Sequence, residues 1–116
     1  MNMADEFSRE RERLNELVLK HANRDIKRFY NLDSQVYREG ALSERVKELM
    51  GLVASTVLRC DDCIAYHIIE CKKAGVSEDE IIETLSIALV VGGSITIPHL
   101  RRAIELWEEL NGPREI

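Results

Sequence analysis

Residues 43–75, SERVKELMGLVASTVLRCDDCIAYHIIECKKAG, decide the fold. The run holds no proline and no alternating strand pattern of useful length, and its apolar positions recur at helical spacing. Ser43 is placed to cap a helix reaching about Leu58, with Val46, Leu49, Met50, Val53 and Val57 along one face. Its second half, MGLVASTVL, is apolar or small all round and points to burial on both sides. Arg59-Cys60-Asp61-Asp62 reads as a break, with Cys60 or Asp61 capping a further helix that runs to Ala74 and stops at Gly75.

Working outward, Ser77-Glu78-Asp79-Glu80 fits a capping box that opens a helix with Ile81, Ile82, Leu85, Ala88 and Leu89 inward, ended by Gly92-Gly93. Pro98 suits a first helical position, and Ile104, Trp107 and Leu110 pack a last helix that Asn111-Gly112-Pro113 stops. On the N-terminal side, Phe7, Leu14, Leu17, Val18 and Ala22 form a narrow apolar stripe on a charged helix from about Asp5 to Phe29, surface-lying or partner-seeking. Asn31-Leu32-Asp33-Ser34 reads as a turn, followed by a short helix from Ser34 to Glu39 that ends at Gly40. The expectation is an all-α chain forming a single domain over residues 1–116, with an N-terminal helical segment at 5–39 and a core at 40–110.

A chain of 116 residues can build its core without a disulfide framework or a metal. A net charge of −5, a pI near 5.2 and only six aromatic residues argue against nucleic-acid binding. The N-terminal MNMADEFSRERERLNE lacks the apolar stretch of a signal peptide, and no run of 18 apolar residues exists to span a bilayer, so a cytoplasmic location is expected. In that reducing compartment three cysteines point to redox or metal chemistry rather than to structural disulfides.

The cysteines fall in the pattern E-x11-C-x-x-C-x3-H, made by Glu48, Cys60, Cys63 and His67. With the break at Cys60, the first thiol lies at a helix N-cap and the second in the first turn, where free N–H groups and the helix dipole stabilise thiolate. His67 follows Cys63 by one turn, on the same face. Asp61 and Asp62 act against thiolate formation. A pair of buried, unreactive cysteines with a core histidine is the plain alternative. Zinc held by Cys60, Cys63, His67 and Cys71 is disfavoured, because Cys71 lies about 12 Å along one helix from Cys63. Periodicity sets Glu48 opposite the apolar face, which favours a solvated side chain; the small and apolar neighbours Gly51, Leu52 and Ser55 also allow a buried one that exchanges protons with His67.

The stretch from Glu39 to about Ala103, through C-x-x-C-I-A-Y-H, K-A-G-V-S-E-D-E-I and the later G-G, resembles the carboxymuconolactone decarboxylase and alkyl hydroperoxidase D superfamily, on its thiol branch. The resemblance implies an all-α fold assembled into trimers or hexamers and a cysteine-based peroxidase centre that needs no bound cofactor or metal. Carried over residue by residue, Cys63 is the attacking thiol, Cys60 its resolving partner, His67 the proton carrier and Glu48 the relay glutamate. The implied partners are a small peroxide substrate and an external dithiol or protein reductant, with no nucleic acid and no membrane. The superfamily's other branch suggests a lactone decarboxylase using Glu48 and His67; a non-catalytic oligomeric scaffold is the alternative of another class. Asp61, Asp62 and Cys71 depart from the usual pattern.

Cys71, one turn beyond His67, reads as a core residue or as a second thiol behind the site, and His99 as a surface or interface histidine. Gly92-Gly93 lacks the context of a phosphate loop and reads as a hinge or close-packing point. The apolar helix at 49–58 together with IALVV at 87–91 exceeds what one layer of helices covers, which predicts self-association.

Overall fold

The computed structural model describes residues 2–112, so the expected stop at Pro113 lies outside the described residues. The fold is all-α: α1 Met3–His21, α2 Arg24–Val36, α3 Glu44–Val57, α4 Asp61–Lys73, α5 Glu78–Gly92, a 3-10 turn Ser94–Thr96 and α6 Ile97–Leu110. The caps follow the sequence. Ser43 accepts from the Val46 N–H at 3.2 Å, and Ser77 and Glu80 close the capping box from both sides. Gly75, at φ 79°, ends α4 in the left-handed conformation, with its N–H donating to the Lys72 carbonyl and that of Val76 to the Cys71 carbonyl.

The N-terminal segment differs from expectation. Asn23, not anticipated as a cap, accepts from the Ile26 N–H at 3.0 Å and breaks the predicted long helix in two. Residues 31–34 are helical rather than a turn, because Asp33 and Ser34 lie within hydrogen-bonded turns of α2 and the Ser34 hydroxyl bonds back to the Tyr30 carbonyl. No helix covers Ser34–Glu39 alone: α2 ends at Val36, and Gly40 keeps out of the left-handed region.

α3 is central, packing on both α4 and α5, while α4 also packs on α6 and α1 lies across α4 and α6. Leu52, Ile68, Ile81 and Leu85 are fully buried in the shared core, each contributing about 1.5–3 kcal/mol of burial. Here a second expectation reverses. The buried side of α3 is Glu48, Gly51, Leu52, Ser55 and Thr56, whereas Val46, Leu49, Val53 and Val57 are half-buried and Met50 is exposed. Small residues let α4 approach that side closely, and proximity of the helices outweighs the apolar count of the other face. Ile82 likewise stands 45% exposed rather than inward, and α5 also presents Ile87, Val90 and Val91 to the surface. α2 buries none of its residues, and Leu14, Leu17 and Val18 of α1 remain exposed, so both helices lie on the surface. Among the described residues no helix is long and apolar enough to cross a membrane.

Candidate active site

Arg59 builds the turn that presents the cysteines. It is the one non-glycine residue with positive φ among those described, at 59°, and it reverses the chain so that the Cys60 N–H donates to the Ser55 carbonyl at 3.0 Å. Cys60 thereby becomes the N-cap of α4, its Sγ accepting from the Cys63 N–H at 3.3 Å. Cys60 and Cys63 are joined in a disulfide, their Cα atoms 5.3 Å apart, with Cys63 exposed and Cys60 half-buried. The bond thus sits at the positive end of a helix and faces solvent.

One turn on, His67 is buried and sits against α3. Its Nδ1 lies 2.7 Å from Glu48 Oε2, and Glu48 is itself only 8% exposed. The periodicity expectation of a solvated glutamate is therefore not met. A carboxylate only accepts, so Nδ1 carries the hydrogen, and in the tautomer this selects Nε2 is the acceptor. The Tyr37 hydroxyl lies 3.4 Å from that Nε2, and burial, followed by the charges of Glu48 and Asp33, raises the phenol above its ordinary value. Tyr37 is therefore a donor at neutral pH. Cys63, Tyr37 and His67 line one cleft of about 410 Å³, walled by Phe7 and Arg11 of α1 and by Tyr66, over whose ring Arg11 stands at 4.1 Å.

Tyr37 has no signal in the sequence pattern, and Gly51 enters there only as a neighbour of Glu48. A Cβ at Gly51 would come 2.5 Å from Cε1, 2.7 Å from Nε2 and 2.9 Å from Nδ1 of His67, so the missing side chain is the seat of the imidazole. A glycine inside a helix costs roughly 1 kcal/mol against alanine, and that cost was the readable signal. Gly51→Ala is expected to lose about 1 kcal/mol in denaturant unfolding, because overpacking of about 1–3 kcal/mol outweighs the gain in helix propensity. The His67–Glu48 geometry should be displaced with it, readable in the histidine ring NMR signals. Gly92 has a comparable packing role, since a Cβ there would meet Thr96 Cγ2 at 2.5 Å, while Gly93, at φ 81°, makes the turn after α5.

The two aspartates between the cysteines have separate surroundings. Asp61 accepts from Arg102 at 2.5 Å and pairs with His99 Nδ1 at 2.7 Å, tying the start of α4 to α6. The hydrogen bond from His99, and after it the charges of His99 and Arg102, hold the Asp61 carboxyl below the ordinary carboxylate range against the opposing effect of burial. His99 is thus engaged within its own chain. Asp62 is exposed and lines the cleft. For Asp61 the folded state binds the proton more weakly than the unfolded chain. Its contribution to stability is then complete above about pH 5 and lost as pH falls through the lowered value. Asp61→Asn should flatten the acid limb of a melting-temperature profile below about pH 4, by a small amount because the pair is largely exposed.

Cys71 is fully buried in the core, and burial, with the charges of Glu48 and Glu70 behind it, pushes its thiol up to about 12. It lies eight residues beyond Cys63 on α4, about 12 Å along the helix axis. Alkylation of the reduced native protein at neutral pH is expected to label Cys60 and Cys63 and spare Cys71, which reacts only after unfolding.

A small helical protein with a dithiol pair at a helix N-terminus is the class that this bundle and cleft define. A model of the carboxymuconolactone decarboxylase family matches residues 26–106, and the chain belongs to that family. Two crystal structures of one protein of Thermotoga maritima are similar to it at 61% and 60% identity, with TM-scores of 0.90 and 0.88. Each covers 91% of this chain, and 93% and 90% of the respective Thermotoga chain. That protein is described as a member of the same family suggested to take part in an antioxidative response. A family member from Legionella pneumophila shares the fold, with a TM-score of 0.85 at 23% identity, over 94% of this chain and 97% of its own. A Paracoccus denitrificans protein known as uncharacterized protein 4 in cox locus is 26% identical over 84 residues, 72% of this chain and 76% of its own length.

Proposed function

We propose that the chain is a thiol-dependent peroxidase or disulfide reductase, carried by one observation: Cys63 of the Cys60–Cys63 disulfide lines the same cleft as His67, which is held by Glu48. In the reduced protein the Cys63 thiolate attacks one oxygen of a hydroperoxide. The O–O bond breaks, the sulfur becomes a sulfenic acid, and the departing alkoxide or hydroxide takes up a proton. Cys60 then displaces water from the sulfenic acid, closing the disulfide, and an external dithiol reopens it while becoming a disulfide itself. His67 accepts and returns protons through Nε2, and Glu48 fixes its tautomer and balances its charge.

The surroundings support this reading. Backbone N–H groups at the start of α4 favour a thiolate there. Asp61, one of the two opposing carboxylates, is held by His99 and Arg102. The antioxidative role suggested for the Thermotoga relative points the same way. The apolar side chains Met50, Leu58, Ile82, Val90 and Val91, exposed on the single chain, support a homo-oligomer.

The reading is tested by supplying hydrogen peroxide and an organic hydroperoxide with a dithiol reductant. Consumption of peroxide matched by dithiol oxidation is the expected result; no consumption of either peroxide by fully reduced protein would overturn it.

A further inference from the structure

The dithiol chemistry set out above gives Tyr37 no part, yet the structure spends two elements on placing it. Tyr37 caps the C-terminus of α2, and Lys47 of α3 donates from Nζ to the carbonyls on either side of it, Val36 at 2.8 Å and Arg38 at 2.7 Å. Lys47 directly precedes Glu48. A single turn of α3 therefore fixes both the carboxylate that binds Nδ1 of His67 and the segment that brings a hydroxyl to Nε2. The two rings meet with centroids 5.3 Å apart at a tilt of 42°. Tyr37 also divides two openings: it lines the cleft that holds Cys63, and on its other side a second cleft of about 260 Å³ from which Glu48 is reached.

Counting donors gives this placement a consequence. With Nδ1–H committed to Glu48, the one site left on the ring is Nε2; the Tyr37 hydroxyl, 3.4 Å from it, can donate there, and so in the reduced protein can the thiol of Cys63, which lines the same cleft. A disulfide sulfur carries no hydrogen. While Cys60 and Cys63 are paired, Tyr37 is the donor of the two that remains. The other polar and charged groups around the ring are Glu48 of α3, Tyr66 and Asp62 of α4, Asp33 of α2, and Glu10 and Arg11 of α1. Among the described residues, Tyr37 is the hydrogen-bond partner of Nε2.

We propose that Tyr37 is a positioning residue that occupies Nε2 of His67 in the disulfide form and yields it to Cys63 when the pair is reduced, an inference that rests on the dithiol reading. Reduction moves two electrons and two protons from an external dithiol onto the Cys60–Cys63 bond, which breaks as the dithiol closes to its own disulfide. Tyr37 keeps its proton throughout. Its hydrogen bond selectively stabilises the oxidised form, where no thiol is present to replace it.

The test is the equilibrium of the full chain with a dithiothreitol redox buffer, read as the ratio of dithiol to disulfide protein. Tyr37→Phe is expected to shift that equilibrium toward the dithiol by about 2- to 10-fold. The shift should vanish when His67 is already replaced by Asn, which closes a double-mutant cycle. Lys47→Met, which loosens the clamp and keeps the hydroxyl, should move the ratio the same way by a smaller factor, and stands in if Tyr37→Phe fails to fold. Unchanged ratios in the tyrosine and lysine variants, or an equal shift with His67 absent, would overturn the proposal. A chain whose Cys60 and Cys63 pair at no buffer poise overturns the dithiol reading and this one together; pairing that is insensitive to Tyr37 overturns this one alone.

Discussion

Cys63→Ser is expected to lower peroxide turnover by on the order of 10³-fold or more, since a serine hydroxyl neither ionises near neutral pH nor forms a sulfenic acid. Cys63 is exposed in the first turn of α4, so with both proteins reduced, where no disulfide is lost, the substitution should change stability by no more than about 0.5 kcal/mol. Loss of rate in a folded protein therefore reports chemistry. Cys60→Ser separates the two thiols: it should retain one round of peroxide reduction, stopping at the sulfenic acid on Cys63 without forming the disulfide. Steady-state turnover and mass analysis of each variant check both expectations. Full activity in Cys63→Ser, together with lactone decarboxylation that survives loss of both cysteines, would instead move the chemistry to Glu48 and His67 alone.

His67→Ala carries the second large effect. Loss of a general acid and base removes about 10²- to 10⁴-fold in rate. It also leaves the Glu48 carboxylate buried without its partner beside the space opened at Gly51, a loss on the order of 3–5 kcal/mol in unfolding free energy. The two consequences are separable through Glu48→Gln, which preserves volume and an acceptor for Nδ1–H while removing the charge. It should keep most of the stability and still lose about 10²-fold in rate. Urea unfolding and turnover per folded molecule measure the two quantities. If both variants lose stability but keep their rate per folded molecule, the pair is a packing device.

The helices of the core were legible because their ends are chemically marked. Ser43, Cys60, Ser77 and Gly75 all sit at helix ends whose orphan N–H or C=O groups they satisfy, and local hydrogen bonding settles such positions. Asn23 carries the same kind of mark, but the apolar spacing runs on in phase across it, from Val18 and Ala22 to Ile26 and Phe29, and hides the break. What periodicity misjudged is the buried side of α3. Counting apolar residues selects Val46, Leu49, Val53 and Val57, but closeness of approach selects Gly51 and Ser55, and a buried charge followed it there. Burial of Glu48 depends on a partner nineteen positions away, which no local pattern encodes. Tyr37 lies further still from legibility, since it reaches His67 only through the clamp that Lys47 makes on the end of α2.

The structure also bears on the opposing charges between the cysteines. From sequence, Asp61 and Asp62 both stand against a thiolate; in the folded chain Asp61 is turned to His99 and Arg102, leaving Asp62 as the exposed charge on the cleft. The pair of cysteines thus sits between a helix N-terminus and the exposed carboxylate of Asp62.

The central claim is that Cys60 and Cys63 form a redox couple closed by peroxide, and the most direct measurement is the mass of the alkylated native protein before and after one equivalent of hydrogen peroxide. The reduced chain should take two labels, at Cys60 and Cys63, and after peroxide none, with the intact mass lower by two hydrogens than that of the unlabelled reduced chain. An unchanged pattern of two labels after peroxide would contradict it.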